Sequence, residues 1–160
     1  MEVIEIKSRW NGEVLYSGEH ASLKEAVEAA VKAGANLCGA NLCGANLCGA
    51  RLTGARLTGA RLTGAKVGKG GDEAMLVGSR PIVQIGPIGS RNDWLLAFWC
   101  GDAGVRISTG CQQQVTEAYF LERLAYAHGE GEQANIHAQH YIEALAFAKL
   151  LLKDQAEGKL

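Results

Sequence analysis

Residues 35–64 are six uninterrupted five-residue repeats, ANLCG three times and then ARLTG three times. A period of five suits neither regular structure, because five residues advance an α-helix by about 500°, so that no apolar stripe forms. In a strand, where side chains alternate with a period of two, successive leucines would face opposite sides. A glycine in every repeat adds roughly 1 kcal/mol against a helix. We therefore expect a coil that turns a corner every five residues.

Such a coil has an interior, corners and an outer surface. We predict that seven side chains point into the coil, those of Leu37, Leu42, Leu47, Leu52, Leu57, Leu62 and Val67. A small alanine lies two residues before each of them. Glycines are expected at or near the corners, where unusual backbone angles are needed, namely Gly39, Gly44, Gly49, Gly54, Gly59 and Gly64. The outward residues are interpreted as a solvated face, made of Asn36, Asn41, Asn46, Arg51, Arg56 and Arg61.

The repeats resemble the pentapeptide-repeat family, whose unit is Ala, then Asp or Asn, then Leu, then two variable residues. The resemblance implies a right-handed quadrilateral β-helix with four repeats per coil, here fewer than two coils. The flanks are more loosely similar to the ends of small pentapeptide-repeat proteins of bacteriophage and prophage genomes, through ASLKEAVEAAVKAGANL, IGPIGSRNDWLLAF and TGC. That similarity implies a phage or prophage origin and a role as an inhibitor that sequesters a host molecule. Members that mimic DNA and bind type II topoisomerases present acidic surfaces on longer coils, and the Asn and Arg here count against mimicry.

The whole chain is expected to be an α+β protein in four segments. Residues 1–34 are predicted to form a cap of two strands, 3–10 and 13–16, around the hairpin signal Asn11-Gly12, followed by a helix that Ser22 and Glu25 begin and Gly34 ends. The β-helix then covers residues 35–68, and 69–80 is a connection. Residues 81–160 are predicted to form a C-terminal domain of three strands (82–85, 94–100 and 105–109) and two helices (116–127 and 135–153).

Composition restricts the partners. The formal net charge of −1 argues against direct nucleic-acid binding through a basic face, and no apolar run approaches the length of a membrane span. The N-terminus, MEVIEIKSRW, is too charged for a signal peptide. Five cysteines are an odd number, and Cys38, Cys43 and Cys48 are expected on successive faces, too far apart for disulfides. We therefore expect the protein to reside in a reducing cytoplasm, which is that of the host bacterium if a phage encodes the protein.

The loop at residues 86–93 is the best candidate site. Gly86 and Gly89 let backbone N–H groups approach an anion, Ser90 adds a hydroxyl next to Asn92, and Arg91 adds a planar fork for phosphate or carboxylate. Arg106 is expected to help if strand pairing brings it near. The loop has neither P-loop nor Rossmann spacing. The alternative is a simple hairpin connection in which Arg91 pairs with Asp93 or Asp102.

The histidines and cysteines allow other chemistry. His128, His137 and His140 with Cys100 or Cys111 are residue types that bind zinc, but no CxxC or HExxH spacing supports a zinc site, so surface or interface histidines are preferred. Cys111 with His128 is a possible nucleophile and base, although a buried structural cysteine is the simpler interpretation. We assign no catalytic residue, metal or cofactor.

The sequence thus favours a non-enzymatic binding protein for an anionic, nucleotide-like small molecule or a host protein. A small Cys/His hydrolase or transferase and a topoisomerase-binding DNA mimic are the alternatives. The last predicted helix has a clean apolar stripe, with Ile142, Phe147 and Leu150 outside it. Because a helix that is apolar on two sides is usually buried on two sides, we expect a homo-oligomer.

Overall fold

The computed structural model describes residues 1–89, 91–127 and 132–159, with the backbone alone for 132–135. It is an α+β fold, as predicted, in which a four-stranded sheet lies between the repeat coil and two helices. In chain order the elements are β1 Glu2–Lys7, β2 Val14–His20, α1 Leu23–Lys32, β3 Lys66–Val67, β4 Ala74–Met75, β5 Ile82–Ile88, β6 Asp93–Trp99, β7 Val105–Thr109, β8 Gln112–Thr116, α2 Glu117–Ala127 and α3 Glu132–Ala156.

The N-terminal hairpin and helix pack against one end of the coil. β1 and β2 pair antiparallel, and the Arg9 N–H then donates to the Gly39 carbonyl at 2.8 Å, which joins the hairpin to the first repeats. The Ser22 hydroxyl accepts the Glu25 N–H at 3.2 Å and so caps α1, while Gly34 ends the helix with φ of +71°. The predicted bounds 3–10 and 13–16 were wrong, because the chain turns before Trp10 and β2 runs on to His20.

The repeat segment forms the predicted coil. All seven predicted inward side chains are buried, and all six repeat glycines have positive φ between 67° and 79°. Asn36 pairs with Arg56 in a parallel bridge, and the same step joins Asn41 to Arg61 and Asn46 to Lys66. Twenty residues, or four repeats, therefore separate stacked positions.

The asparagines of the first three repeats do more than face solvent. In each of these repeats the side-chain oxygen accepts the N–H of the cysteine two residues later, at 3.1 to 3.4 Å. This local bond, in which an Asn side chain mimics the backbone of a turn, helps to form the corner. The interpretation as a purely solvated face therefore missed a structural role for Asn36, Asn41 and Asn46.

The segment predicted as a simple connection, 69–80, instead continues the coil. Its β4 pairs with β3, and the Leu76 N–H donates to the Ala65 carbonyl at 2.8 Å. Leu76 is buried with the repeat leucines, so its burial extends the interior beyond Val67. The Val77 N–H then donates to the Trp99 carbonyl at 3.1 Å and joins this segment to the sheet.

The sheet has four antiparallel strands in the order β5-β6-β7-β8, where the sequence predicted three. The prediction missed β8 because Gln112–Thr116 has no apolar alternation. Residues 94–99 of β6 are all apolar, and both faces of its centre are covered: Leu96 and Phe98 pack against the coil, while Leu95 and Ala97 pack against α2 and α3.

Glutamines attach this sheet to the coil. The Gln84 amide donates to the Ala55 carbonyl at 2.6 Å and accepts the Leu57 N–H at 3.1 Å. Gln114 is fully buried, and its amide makes four hydrogen bonds to backbone groups of residues 47–50 and 68. A side-chain amide has the same donor and acceptor as a peptide group, so these residues satisfy coil backbone that the short repeat run leaves open.

The two C-terminal helices cover the other face of the sheet. The predicted stripe on α3 packs against the sheet: Tyr141, Ala144, Leu145, Ala148 and Leu152 are buried, and Leu151 is half-buried. On the opposite side Phe147 and Leu150 are 54% and 55% exposed. Within the described residues, no helix combines the length and the apolarity needed to cross a bilayer.

Candidate functional site

A cleft of about 290 Å³ lies between the β7–β8 turn, the outer face of α2 and the turn that follows β5. Residues of α2, α3, the ends of β7 and β8 and three loops line it: Lys69, Arg91, Thr109, Gly110, Cys111, Gln112, Gln113, Val115, Tyr119, Phe120, Arg123, Leu124, Ala127 and Tyr141. The volume is close to the lower end of the range for small-molecule sites, about 300–1,000 Å³.

The charge of the cleft has one sign. Lys69, Arg91 and Arg123 line it, and no described lining residue is Asp or Glu. In the part of the chain that the structure describes, Arg91 has no carboxylate within ion-pair distance, so the alternative pairing with Asp93 or Asp102 is not formed there. Several cations in one concave surface raise the local concentration of anions.

The backbone around Gly89 positions Arg91. Gly89 has φ of +69°, and a Cβ built on it would overlap the ring of Tyr141 from α3. The Asn92 N–H donates to the Gly89 carbonyl at 3.2 Å and closes the turn that carries Arg91. The Arg91 guanidinium then lies beside Gly110 of the β7–β8 turn, with Nη1 3.4 Å from the position a Cβ would take there. Glycine is therefore required at residue 89 by both backbone conformation and space.

The β7–β8 turn forms another wall of the cleft. The Gln113 amide nitrogen donates to the Thr53 hydroxyl at 3.0 Å and to the Gly110 carbonyl at 3.1 Å, which fixes the turn against the coil. Three buried oxygens in this wall have no hydrogen-bond partner among the described residues: Thr109 Oγ1, Gln112 Oε1 and Gln113 Oε1. Since most buried polar groups in proteins are paired, such a group needs an explanation.

The predicted loop is shorter than expected, and its residues have different surroundings. Gly86 lies inside β5, where a Cβ would approach the Asp93 carbonyl to 2.9 Å, so it allows close strand packing. Asn92 lines a second, shallow concavity on the other side of the turn, with His137 and His140. Ser90 lies outside the described residues. The contact of each of these residues with a ligand stays a prediction.

Strand pairing does not bring Arg106 near Arg91, so the condition on which its help was expected is not met. The register pairs Arg106 with Phe98, and Phe98 with Ile82, at the opposite end of β5 and β6 from the turn. Arg106 is buried there and donates to the carbonyls of Asp72 at 3.0 Å and Ala103 at 2.8 Å. The residue therefore holds the loop before β7 and the end of the coil together.

The cysteines and histidines are dispersed. Cys111 is exposed in the cleft, not buried as expected, whereas Cys100 is buried and desolvation raises its thiol pKa to about 11, against a smaller lowering by Arg106. His128 lies outside the described residues. The rings of His137 and His140 are 6.2 Å apart on α3, and no cluster of His, Cys, Asp and Glu able to hold a metal occurs in the described ranges.

Sequence reasoning missed Lys69, Tyr119 and Arg123 as residues of this site. Tyr119 and Arg123 are four residues apart on α2, so they share a helical face, and that spacing was a signal available in the sequence. Lys69 had no such signal, because only the stacking of the coil against the sheet brings it to the cleft.

The structure consists of a repeat coil joined to an α+β unit, and this unit carries most of the candidate site. Residues 33–67 match the family described as Pentapeptide repeats, in eight copies. This segment of the chain therefore carries pentapeptide repeats, as its sequence predicts. No curated protein and no solved structure matches the chain.

Proposed function

We propose that this protein is a non-enzymatic binding protein that sequesters a small anionic ligand in the cleft. One observation carries the proposal: Lys69, Arg91 and Arg123 line one concave site in which no described lining residue is acidic. An exposed guanidinium without a carboxylate partner is free to form a bidentate bond with phosphate or carboxylate. The loose similarity of the flanks to phage and prophage proteins agrees with a sequestering inhibitor.

Arg91→Ala tests the proposal. A hydrogen bond to a charged group contributes about 1.5–3 kcal/mol, so the variant should bind inorganic pyrophosphate roughly ten- to a hundred-fold more weakly. Its free energy of unfolding should change by less than about 0.5 kcal/mol, because Arg91 is exposed. Titration calorimetry at low salt measures the first quantity, and urea denaturation the second.

Two control variants sharpen this test. Arg91→Lys keeps the charge but not the planar fork, so it should restore little of the affinity. Arg56→Ala removes the same charge from an exposed position on the coil and should leave binding unchanged. If Arg91→Ala lowers stability and leaves binding intact, Arg91 is structural and the proposal is wrong. If pyrophosphate fails to bind but an acidic protein is retained through Arg91, the ligand is a partner side chain instead.

We also propose that the repeat segment is a right-handed quadrilateral β-helix. The support is its four-repeat spacing between parallel bridges, its glycines with positive φ and its buried leucines. An experimental structure of the segment would decide the hand of the coil.

We further propose a homo-oligomer that buries the outer side of α3. The support is the exposure of Ile142, Phe147 and Leu150 on a helix whose opposite side is already in the core. Large apolar side chains exposed together often mark an interface.

A further inference from the structure

The cleft combines a cationic rim with an apolar floor. Phe120, Leu124 and Tyr141 are buried core residues whose edges reach the cleft, and the Phe120 and Tyr141 rings meet edge to face at 6.1 Å. A site for a bare ion needs no such floor, because inorganic anions are satisfied by polar groups alone. An apolar floor favours a ligand that also has a flat apolar part.

Besides its cationic rim and apolar floor, the cleft has a wall with acceptor oxygens that lack partners among the described residues. Gln113 lines the cleft, and its amide nitrogen is fixed by two hydrogen bonds, while its buried oxygen has no partner among the described residues. Thr109, only 6% exposed, lines the same wall, and its hydroxyl has no hydrogen-bond partner within the described residues. Buried polar atoms of this kind are satisfied when a bound molecule supplies N–H or O–H groups.

We propose that the ligand is of mononucleotide size and chemistry: one phosphate or carboxylate, one flat ring and at least one N–H or O–H donor. This inference rests on the proposed anion-binding function and restricts it. The anionic group bonds to Lys69, Arg91 and Arg123, while the ring lies over the apolar floor and its donors reach Thr109 and Gln113. A cleft of about 290 Å³ is too small for a long nucleic-acid strand to be enclosed.

Three probes separate the parts of this proposal: inorganic phosphate, phenyl phosphate and cytidine 5′-monophosphate. The dissociation constant should fall at least tenfold from phosphate to phenyl phosphate, through ring burial, and at least threefold again for the nucleotide, through its donors. Titration calorimetry or amide chemical shifts at Gly110 and Cys111 report binding. Arg91→Ala should weaken the binding of all three probes.

Thr109→Val is the matched variant, since it keeps the shape and removes only the unpartnered hydroxyl. The substitution should weaken the binding of cytidine 5′-monophosphate at least threefold and leave the binding of phenyl phosphate unchanged. It should not lower the melting temperature of the protein. If phenyl phosphate binds no better than phosphate, the inference fails while the anion site stands. If Thr109→Val leaves nucleotide binding unchanged, or the nucleotide binds no better than phenyl phosphate, the assignment of the donors fails. If none of the probes binds, the proposed function fails with it.

Discussion

Gln114 should contribute more to stability than any other polar side chain of the sheet. Its amide oxygen accepts the N–H groups of Gly49 and Gly68 at 2.9 and 2.8 Å, and its nitrogen donates to the carbonyls of Leu47 and Ala50 at 2.8 and 3.2 Å. Its backbone N–H is also held, by the Ser108 hydroxyl at 2.8 Å. The side chain thus bridges the two stacked levels of the coil and ties them to β8.

The cost of Gln114→Met follows from what each partner retains. The Gly49 N–H also donates to the Gly68 carbonyl at 2.8 Å, and the Leu47 carbonyl also accepts the Ala50 N–H at 2.9 Å. The Gly68 N–H and the Ala50 carbonyl, by contrast, have no second hydrogen-bond partner among the described contacts, so the substitution leaves both unpaired. A buried polar group left without a partner costs about 1–3 kcal/mol, so the two together cost about 2–6 kcal/mol. Native domains are stable by only about 5–15 kcal/mol.

Urea denaturation followed by circular dichroism measures this change. Gln112→Met is the matched control, because it makes the same substitution two residues away, where the amide oxygen has no partner in the described structure. We expect the control to change the free energy of unfolding by less than about 1 kcal/mol. A Gln114→Met variant within about 1 kcal/mol of the wild type would refute the idea that this amide substitutes for missing coil backbone.

Three further predictions concern the core, the thiol and the oligomer. Leu52→Asp should unfold the protein, because an unpaired carboxylate in the coil interior costs several kcal/mol, whereas the exposed Arg56→Asp should remain folded by circular dichroism; a folded, soluble Leu52→Asp variant contradicts the coil. Burial holds the pKa of Cys100 at about 11 against 9.0 for an ordinary thiol, so stability should be lost as pH rises from 9 to 11, by at most about 2–3 kcal/mol. Urea denaturation across that range should show the loss in the wild type and not in Cys100→Ala. Light scattering at micromolar concentration should give an oligomer that Phe147→Glu or Leu150→Glu dissociates, and a wild-type monomer would reject this interface.

Local physics explains why the repeat segment was predictable. A period of five conflicts with both helix and strand, so the inward leucines and the glycine corners follow from spacing alone. The start of α1 at Ser22 and its end at Gly34 were equally local, since capping depends on residues within one turn. The stripe on α3 followed from its helical period in the same way.

Tertiary structure alone decided how the coil, the sheet and the cleft meet. β8 was invisible in the sequence because its three glutamines are polar, and Gln114 pairs with backbone of the repeats more than sixty residues away. Arg106 was misplaced for the same reason: residue type suggests an anion contact, but strand register puts it at the far end of the sheet. Lys69, Arg91 and Arg123 come from three separate segments, and only the packing of those segments gathers their charges into one cleft. Spacing along the chain reports neighbours within a turn or a strand, whereas a binding site depends on distances that the whole fold sets.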